Sequence, residues 1–198
     1  AGGASPDAFV SEPFADCSDR RQRERFAQAL DEVRRQLPGR HPLLIAGEAV
    51  ETGRWLVSEN PAHPQQPVGE VAQAGGAEAE RAIQAACAAQ RRWARVSVQE
   101  RAALMRQAAE RMRQRRAWLT ALEVLEVGKT WREADADVME AFEYLVYYRS
   151  QMLRLAEGRP LLQLPGEFNR YFYRPRGVCA VIAPWNFPYA LLGAPAAA

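Results

Sequence analysis

The chain has few of the residues that build a disulfide framework or a metal site. Its three cysteines, Cys17, Cys87 and Cys179, are odd in number and far apart in the sequence, whereas disulfide-stapled domains carry paired cysteines at recurring spacings. The two histidines, His41 and His63, are isolated from each other and from the cysteines, so they lack the spacing of metal ligands. We therefore predict reduced thiols, a cytoplasmic location and no metal.

The chain also lacks a long apolar run and an excess of one charge. No apolar stretch reaches the roughly 20 residues that cross a bilayer, and the N-terminus has no charged-then-apolar signal pattern. The 26 basic and 24 acidic residues give a net charge of +2, and they are mixed along predicted helices, as is typical of solvated faces. We expect neither a membrane nor a nucleic acid as a partner.

Glycine-rich phosphate-binding loops are absent from the sequence. Neither Gly-x-Gly-x-x-Gly nor Gly-x-x-x-x-Gly-Lys-Ser/Thr occurs, and these are the usual loops that hold dinucleotide or nucleotide phosphates. Residues 193–198 have no polar side chain and no basic last turn, which is typical of a helix that is interrupted. We expect the N-terminal portion of a longer protein, with any phosphate-binding loop beyond Ala198.

What the sequence does contain is a succession of amphipathic helices and short strands. Region 1–40 is predicted to be a flexible arm over residues 1–13, followed by a helix from about Asp19 to Leu37 with apolar residues at helical spacing. Region 41–158 is predicted to hold short strands and then several helices, of which the longest runs from about Trp131 to Glu157. Both regions fit an α/β protein.

The last two regions are predicted to be mainly extended. In region 159–177, large and polar residues alternate over Phe168–Tyr173, which favours an exposed strand of an antiparallel hairpin. Region 178–198 begins with the apolar run Val178–Ala183, which favours a buried core strand, and continues into the start of a helix. Cys179 would then be a small buried hydrophobic residue.

The most informative residues follow that predicted strand. Pro184 ends the strand because proline cannot donate a ladder hydrogen bond, and Asn186 then lies between Trp185 and Phe187. Ligands of open α/β sheets bind at the carboxyl ends of the strands, and a neutral amide N–H there suits a developing oxyanion. The same residues would also fit an ordinary turn with a satisfied asparagine and two core aromatic side chains.

Three stretches together resemble one known family. Residues Ile182–Pro188 resemble the signature of the NAD(P)-dependent aldehyde dehydrogenase superfamily, Asn60–Pro64 with Val68–Val71 resembles its early segment, and Glu126–Thr130 resembles its glycine-lysine helix end. The resemblance implies an α/β fold in which these helices and edge strands join a parallel, Rossmann-like NAD-binding sheet. It also implies that the antiparallel hairpin of residues 159–177 assembles a homo-oligomer.

The same resemblance implies roles for individual residues. Asn186 would donate its side-chain amide to the oxyanion, and Phe187 would pack against the aliphatic part of the substrate. Glu140 would face the substrate, although its residue type alone favours a solvated helix surface. Lys129 is better placed to serve the carbonyl end of the preceding helix than any chemistry. Four further residues match positions that line the nicotinamide side of the cofactor pocket: Ile182, Ala183, Pro184 and Trp185.

Two longer stretches, Pro42–Glu48 and Leu122–Val138, are similar to one branch of the family, the bacterial L-glutamate γ-semialdehyde dehydrogenases. The branch implies NAD-dependent oxidation of a small-molecule aldehyde, L-glutamate γ-semialdehyde, to L-glutamate in proline catabolism. In the family a cysteine thiolate attacks the aldehyde and a glutamate-activated water releases the acid. We expect both groups beyond Ala198, so Cys179 is not the nucleophile. The alternatives are a family member with a different small aldehyde and a non-catalytic truncated product.

Overall fold

The structure of the protein, a computed structural model, describes residues 9–198. Helices form most of its ordered framework, and the long predicted ones occur within one to three residues of their expected ends. The helices are α1 (Arg20–Gln36), α2 (Gly76–Trp93), α3 (Val98–Gln114), α4 (Arg116–Val127), α5 (Trp131–Ala156) and α6 (Ala190–Ala197). No helix within the described residues combines the length and apolar character needed to cross a bilayer.

Local sequence signals explain where the helices begin and end. Ser97 and Glu100, three residues apart, form a capping box at the start of α3, in which Ser97 Oγ accepts from Glu100 N and the Glu100 carboxylate accepts from Ser97 N. Thr130 and Glu133 form the same arrangement before α5. Gly128 ends α4 with a left-handed φ of 77°, a conformation that glycine adopts without steric cost. The α4–α5 connection is therefore fixed at both ends.

The strands are short and lie between α1 and α2. They are β1 (Gly39–His41), β2 (Leu43–Ile45), β3 (Glu48–Val50), β4 (Trp55–Asn60) and β5 (His63–Ala72). One sheet has the order β1-β5-β4, in which β1 is parallel and β4 antiparallel to β5, and β2 pairs with β3 as a separate hairpin. The mixture of helices and strands agrees with the predicted α/β class, and the strands fall in region 41–158, where short strands are predicted, apart from the first two residues of β1.

The expected parallel, Rossmann-like sheet is not formed by the described residues, where β1–β5 is the single parallel pair. Parallel sheets need several strands linked by crossover helices and covered on both faces. Here α2 follows β5 but leads into α3 rather than into another strand. The three-stranded sheet therefore lies beside the helices, where Ser58 Oγ of β4 donates to Glu126 of α4 at 3.1 Å.

The hydrophobic core consists of two clusters between pairs of helices. In the first, Leu30 and Val33 of α1 pack against Ala121 and Leu125 of α4, which confirms the apolar face predicted for α1 from its three-to-four spacing. In the second, α3 packs on α5: its members are Ala109, Val138, Met139 and Phe142. Helix α5 thus packs on α3, and Tyr189, which directly precedes α6, packs against the same cluster.

The described part of the N-terminal arm, residues 9–18, has no regular secondary structure but is fastened to the helices. Glu143 of α5 accepts hydrogen bonds from Ser11 Oγ at 2.7 Å and from Glu12 N at 2.6 Å. Asp135 accepts from Ala15 N at 3.0 Å. The arm predicted to be flexible over residues 1–13 is thus bonded to the half-buried Glu143 at Ser11 and Glu12, and its flexibility stays a prediction; residues 1–8 lie outside the described range.

Residues 157–189 contain neither the predicted hairpin nor the predicted core strand. Side-chain bonds shape this segment instead, since Gln163 bonds the backbone of Asn169 in both directions at 2.7 and 2.8 Å. Phe168 is 84% exposed, and an isolated two-stranded hairpin without a covering layer is marginal in water. Cys179, expected to be buried, is exposed for the same reason. Apolar composition indicated strands, but no described element packs over them.

Candidate active site

Asn186 lies in a bend that leads directly into α6. Residues 185–187 form consecutive bends and residues 188–189 a turn before the helix begins at Ala190. The expected position at the end of a core strand is therefore wrong in its local geometry, because residues 178–183 form no ladder. The Asn186 side chain is exposed and makes no hydrogen bond to any described residue. Its amide is free to donate to a ligand.

The residues next to Asn186 along the chain are mainly apolar and exposed. Ile182 is 92% exposed and Trp185 is 80% exposed. Phe187 is 38% exposed, while Ala183 is half-buried. Surface-exposed apolar groups grouped along one short segment are typical of a binding surface rather than of ordinary solvated surface. The structure therefore brings the predicted oxyanion donor and the predicted cofactor-contacting residues onto one continuous, accessible stretch of chain.

A buried charged cluster lies beneath this stretch. Glu123 of α4, Asp137 of α5 and Lys129 of the α4–α5 connection converge there, with Lys129 Nζ 2.8 Å from Glu123 Oε1 and 3.8 Å from Asp137 Oδ2. The side chains of both acids are fully shielded from solvent. We expected Lys129 to serve the carbonyl end of α4. It pairs with carboxylates instead, because a full negative charge attracts the ammonium more strongly than the partial charge of a helix end.

Asp137 links this cluster to the start of α6. Its Oδ2 accepts from Tyr189 N at 3.2 Å, and its Oδ1 accepts from Ala190 N at 3.0 Å. These amides belong to the first turn of α6 and have no partner within the helix. The Tyr189 hydroxyl donates to Leu119 O at 3.3 Å, which ties the same turn to α4. The segment carrying Asn186 is thus anchored to α4 and α5.

Burial changes the protonation of this cluster. Removal of the Glu123 carboxyl from water raises its pKa to about 8, an effect that Lys129 opposes and Asp137 reinforces. Glu123 is therefore largely protonated at neutral pH. Burial also raises the pKa of Tyr189, and the negative charge of Glu123, Glu126 and Asp137 adds to that rise. Tyr189 accordingly remains a hydrogen-bond donor.

Lys129 also contacts the predicted substrate-side aromatic residue. Its Nζ lies 4.0 Å from the centre of the Phe187 ring, within the range of a cation–π contact. The Lys129 ammonium therefore contacts one part of the Phe187 ring, while another part of the ring stays exposed to solvent. This contact connects Phe187 to the cluster on α4 and α5.

Glu140 is half-buried on α5, one turn beyond Asp137. Its Oε1 accepts from the Tyr144 hydroxyl at 2.8 Å, and this bond raises the pKa of Tyr144. No hydrogen bond or ion pair joins Glu140 to residues 182–187 within the described chain. Its expected role toward the substrate stays a prediction.

Sequence reasoning missed Glu123 and Asp137. The available signal was a carboxylate on an apolar helix face, because Asp137 follows Ala134 and precedes Ala141 at helical spacing and all three are buried. Charged residues are almost never fully buried unless they are paired, and Lys129 as the chain's one lysine was the candidate partner. Among residues 9–198, no group of three or more His, Cys, Asp or Glu side chains is arranged to hold a metal ion.

This arrangement can be compared with known proteins. The sequence model of the aldehyde dehydrogenase family matches residues 49–198, which include the Asn186 segment, Lys129 and both buried acids. The chain belongs to the aldehyde dehydrogenase family. The resemblance of residues Ile182–Pro188 to that family is confirmed.

Relatives within the family share a common description. The 1-pyrroline-5-carboxylate dehydrogenase of Bacillus pumilus is 46% identical over 184 residues, which are 93% of this chain and 36% of that protein. The structure of 1-pyrroline-5-carboxylate dehydrogenase from Thermus with bound NAD has a TM-score of 0.89 at 42% identity and covers 94% of this chain and 36% of that chain. The aldehyde dehydrogenase-like fold is therefore confirmed, and this chain spans about a third of the length of these relatives.

A longer protein also contains the same fold. Proline utilization A from Bdellovibrio bacteriovorus, inactivated by N-propargylglycine, superposes with a TM-score of 0.93 at 39% identity. The superposition covers 97% of this chain and 20% of that chain. The described arrangement is thus similar both to stand-alone dehydrogenases and to part of a larger protein.

Proposed function

We propose that this chain forms the Asn186-bearing part of an NAD-dependent dehydrogenase that oxidises L-glutamate γ-semialdehyde to L-glutamate, a step of proline catabolism. The aldehyde is the open form of 1-pyrroline-5-carboxylate, the compound after which these relatives are named. The activity is proposed for the assembled enzyme and not for residues 1–198 alone.

The observation that carries this proposal is the unpaired amide of Asn186. It is exposed, and it lies on a segment that Asp137 fastens through two backbone amides. An asparagine that only completes a turn would use its side chain to bond neighbouring backbone groups. A free amide on an anchored segment is instead suited to donate to an oxygen that gains negative charge.

In this chemistry a thiolate adds to the aldehyde carbon and the carbonyl electrons move onto oxygen. Asn186 Nδ2 donates to that oxygen, and the donation strengthens as the charge develops. Phe187 offers an apolar surface for the aliphatic part of the substrate. Glu140 offers a carboxylate for the substrate's α-ammonium group. We place the thiolate outside residues 1–198, because neither Cys17, Cys87 nor Cys179 has a base or a cation bonded to its sulfur in the described structure to favour the thiolate.

NAD accepts the hydride in this reaction when it is bound. Residues of this chain fit its nicotinamide end, because the exposed side chains of Ile182 and Trp185 form an apolar surface beside Asn186. Ala183 and Pro184 lie on the same extended stretch and leave it without a bulky polar group. The residues that would hold this end of the cofactor are therefore Ile182, Ala183, Pro184 and Trp185.

The proposal also covers assembly and location. Residues 159–177 carry several exposed aromatic side chains, including Phe168, Phe172 and Tyr173, and an aromatic-rich exposed segment is suited to pair with another copy of the chain. We propose a homo-oligomer assembled through this segment. The three free cysteines are compatible with a reducing cytoplasm.

A chimera tests the proposed activity. In it, this chain replaces the aligned 184-residue segment of the Bacillus pumilus relative, and NAD reduction is followed with L-glutamate γ-semialdehyde, succinate semialdehyde and betaine aldehyde. The proposal predicts the highest kcat/KM for L-glutamate γ-semialdehyde. A preference for either of the other aldehydes would assign the chain to a different branch of the family.

A second measurement addresses the chain on its own. Residues 1–198 should show no aldehyde-dependent NAD reduction, because the proposed nucleophile and base are not among them. Aldehyde-dependent NAD reduction by the purified chain would contradict the proposal that the nucleophile and the base lie outside residues 1–198. A folded chimera without activity on any aldehyde would instead indicate a non-catalytic product.

A further inference from the structure

The position of Asn186 depends on a short and stiff piece of chain. Phe187 follows Asn186 directly, and Pro188, whose ring fixes its φ angle, separates Phe187 from Tyr189. Asn186 itself has no side-chain bond to a described residue. Whatever holds Phe187, Tyr189 and Ala190 therefore fixes the backbone from which the Asn186 side chain extends.

Asp137 holds two of those residues through separate oxygens. Its Oδ2 accepts from Tyr189 N and its Oδ1 from Ala190 N, at 3.2 and 3.0 Å. Both carboxylate oxygens are needed, because each accepts one of the two amides. An asparagine at position 137 would keep one carbonyl oxygen and replace the other with a donor, so it could satisfy only one of the amides.

Lys129 holds the third residue and neutralises the aspartate. Its Nζ lies 4.0 Å from the centre of the Phe187 ring and 3.8 Å from Asp137 Oδ2. A buried carboxylate without a nearby cation is strongly unfavourable. Lys129 therefore lowers the free-energy cost of burying Asp137, whose two oxygens accept from Tyr189 N and Ala190 N. Glu123 fixes the ammonium from the α4 side at 2.8 Å.

We propose that Asp137 of α5 and Lys129 of the α4–α5 connection are positioning residues that hold in place the backbone carrying Asn186, Asp137 through Tyr189 and Ala190 and Lys129 through Phe187. This inference rests on the proposed function for its catalytic consequence. Its structural part, the fastening of the segment, can be measured without any activity.

The structural part is tested by hydrogen exchange of the backbone amides in the isotope-labelled chain. Asp137→Asn should speed the exchange of Tyr189 or Ala190 at least tenfold relative to Phe142 in the core of α5. Asp135→Asn is the matched control, because Asp135 is an equally buried carboxylate two residues away whose partners are Arg116 and the arm. Equal acceleration at Tyr189 and Ala190 in both variants would overturn the proposal.

The catalytic part is tested in the chimera by a double-mutant cycle. Asp137→Asn should lower kcat on the order of tenfold to a hundredfold, whereas Asp135→Asn should retain the parental kcat. In an Asn186→Ala background, Asp137→Asn should cost less than about twofold further, because its effect acts through Asn186. A full additional loss in that background would show that Asp137 does not act through Asn186.

Two substitutions at Lys129 test its role independently: Lys129→Met removes the positive charge and Lys129→Arg keeps it. Lys129→Met should lower kcat as Asp137→Asn does, and Lys129→Arg should restore part of it, since arginine supplies the cation and can also stack on the Phe187 ring. Failure of Arg to exceed Met would remove Lys129 from the proposal. If the parental chimera has no activity, the proposed function fails, and the exchange experiment still decides whether Asp137 fastens the segment.

Discussion

Two irregular segments of this chain are fastened to α5 by buried aspartates two residues apart. Asp135 pairs with Arg116 at 2.6 Å and accepts from Ala15 N of the N-terminal arm. Asp137 lies near Lys129 and accepts from Tyr189 N of the Asn186 segment. The same chemistry, a shielded carboxylate with a cation beside it, thus secures both segments.

The segments differ in what their own side chains do. In the arm, Ser11 bonds Glu143 and Glu12 pairs with Arg113, so its polar groups are used in packing. In the Asn186 segment, the asparagine amide has no described partner and Trp185 is 80% exposed. Hydrogen bonds to a buried aspartate therefore occur in both segments and do not mark a functional one. The Asn186 segment differs because its asparagine amide and its Trp185 side chain remain available for a ligand.

The largest expected effect is on the chemistry of the Asn186 segment. In the chimera, Asn186→Asp should lower kcat by more than the roughly hundred- to thousandfold typical of a lost oxyanion donor, because a carboxylate ionised at neutral pH would repel the oxyanion. Glu12→Gln is the control in the arm, because it also exchanges a carboxylate and an amide, here in the ion pair with Arg113. It should leave kcat within about twofold of the parent. Steady-state kinetics with L-glutamate γ-semialdehyde measure both; a milder loss in Asn186→Asp than in Asn186→Ala would contradict the account.

The second expected effect is on stability and should be similar for both fastenings. Asp135→Asn removes the carboxylate that pairs with Arg116, whereas Asp137→Asn removes one acceptor from the Tyr189 and Ala190 amides and one of the two carboxyl groups near Lys129. Each change should lower the free energy of unfolding by about 3 to 5 kcal/mol, the cost of breaking a buried charge pair. Denaturant unfolding of the chain measures both values. If Asp137→Asn cost less than about 1 kcal/mol while Asp135→Asn cost several, the two fastenings would not be equivalent.

The third expected effect depends on pH and belongs to the Asp137 side alone. Glu123 keeps its proton up to a pKa of about 8 in the folded chain, against an ordinary value of 4.5. Between these values the folded state binds the extra proton, so the free energy of unfolding should decrease as pH rises from about 4.5 to about 8. The total change is on the order of a few kcal/mol.

Glu123→Gln separates this contribution from other titrating groups. The difference between the unfolding free energies of the parent chain and the variant should shift across that pH window, in the direction of lower parental stability at high pH. The groups facing Glu123 are Lys129, Asp137 and Tyr189, and they are present in both proteins. A difference that is constant with pH would show that Glu123 ionises normally in the folded chain.

The smallest expected effect concerns Glu140, whose role is selective rather than essential. In the chimera, Glu140→Ala should lower kcat/KM for L-glutamate γ-semialdehyde on the order of tenfold, the loss of one charge-assisted contact. It should change the value for an aldehyde without an amine much less. Equal losses on both aldehydes would return Glu140 to a structural role through its bond with Tyr144.

The helical framework could be predicted from the sequence because its signals are local. Ser97 and Glu100 form a capping box from residues three apart, and Gly128 ends α4 through its own backbone freedom. The apolar stripe of α1, including Phe26 and Val33, follows from helical spacing alone. None of these features depends on distant parts of the chain.

The extended elements could not be predicted in the same way. Val178–Ala183 has the apolar composition of a core strand, yet Val178 and Val181 are exposed and form no ladder. A strand needs a neighbouring edge for its backbone and a covering layer for its side chains, and sequence composition specifies neither. Asn186 is therefore a candidate site residue because of the family resemblance and not because it follows a strand.

The charged cluster was missed for a related reason. Lys129 and Glu123 are six residues apart, and they meet because Gly128 turns the chain back over α4. Asp137 was part of the stretch that resembled the family, but its buried orientation and its bonds to Tyr189 and Ala190 depend on how α6 packs on α5. Such long-range pairing follows from the fold and not from residue spacing.

The most direct test of the account is single-turnover hydride transfer by the Asn186→Ala chimera, measured together with NAD titration. The account predicts a loss of roughly a hundred- to a thousandfold in the rate of the chemical step, with NAD affinity nearly unchanged, because the amide acts only as charge develops on the aldehyde oxygen. Hydride transfer at the parental rate in a folded Asn186→Ala chimera would show that Asn186 is a turn residue and that the oxyanion donor lies elsewhere.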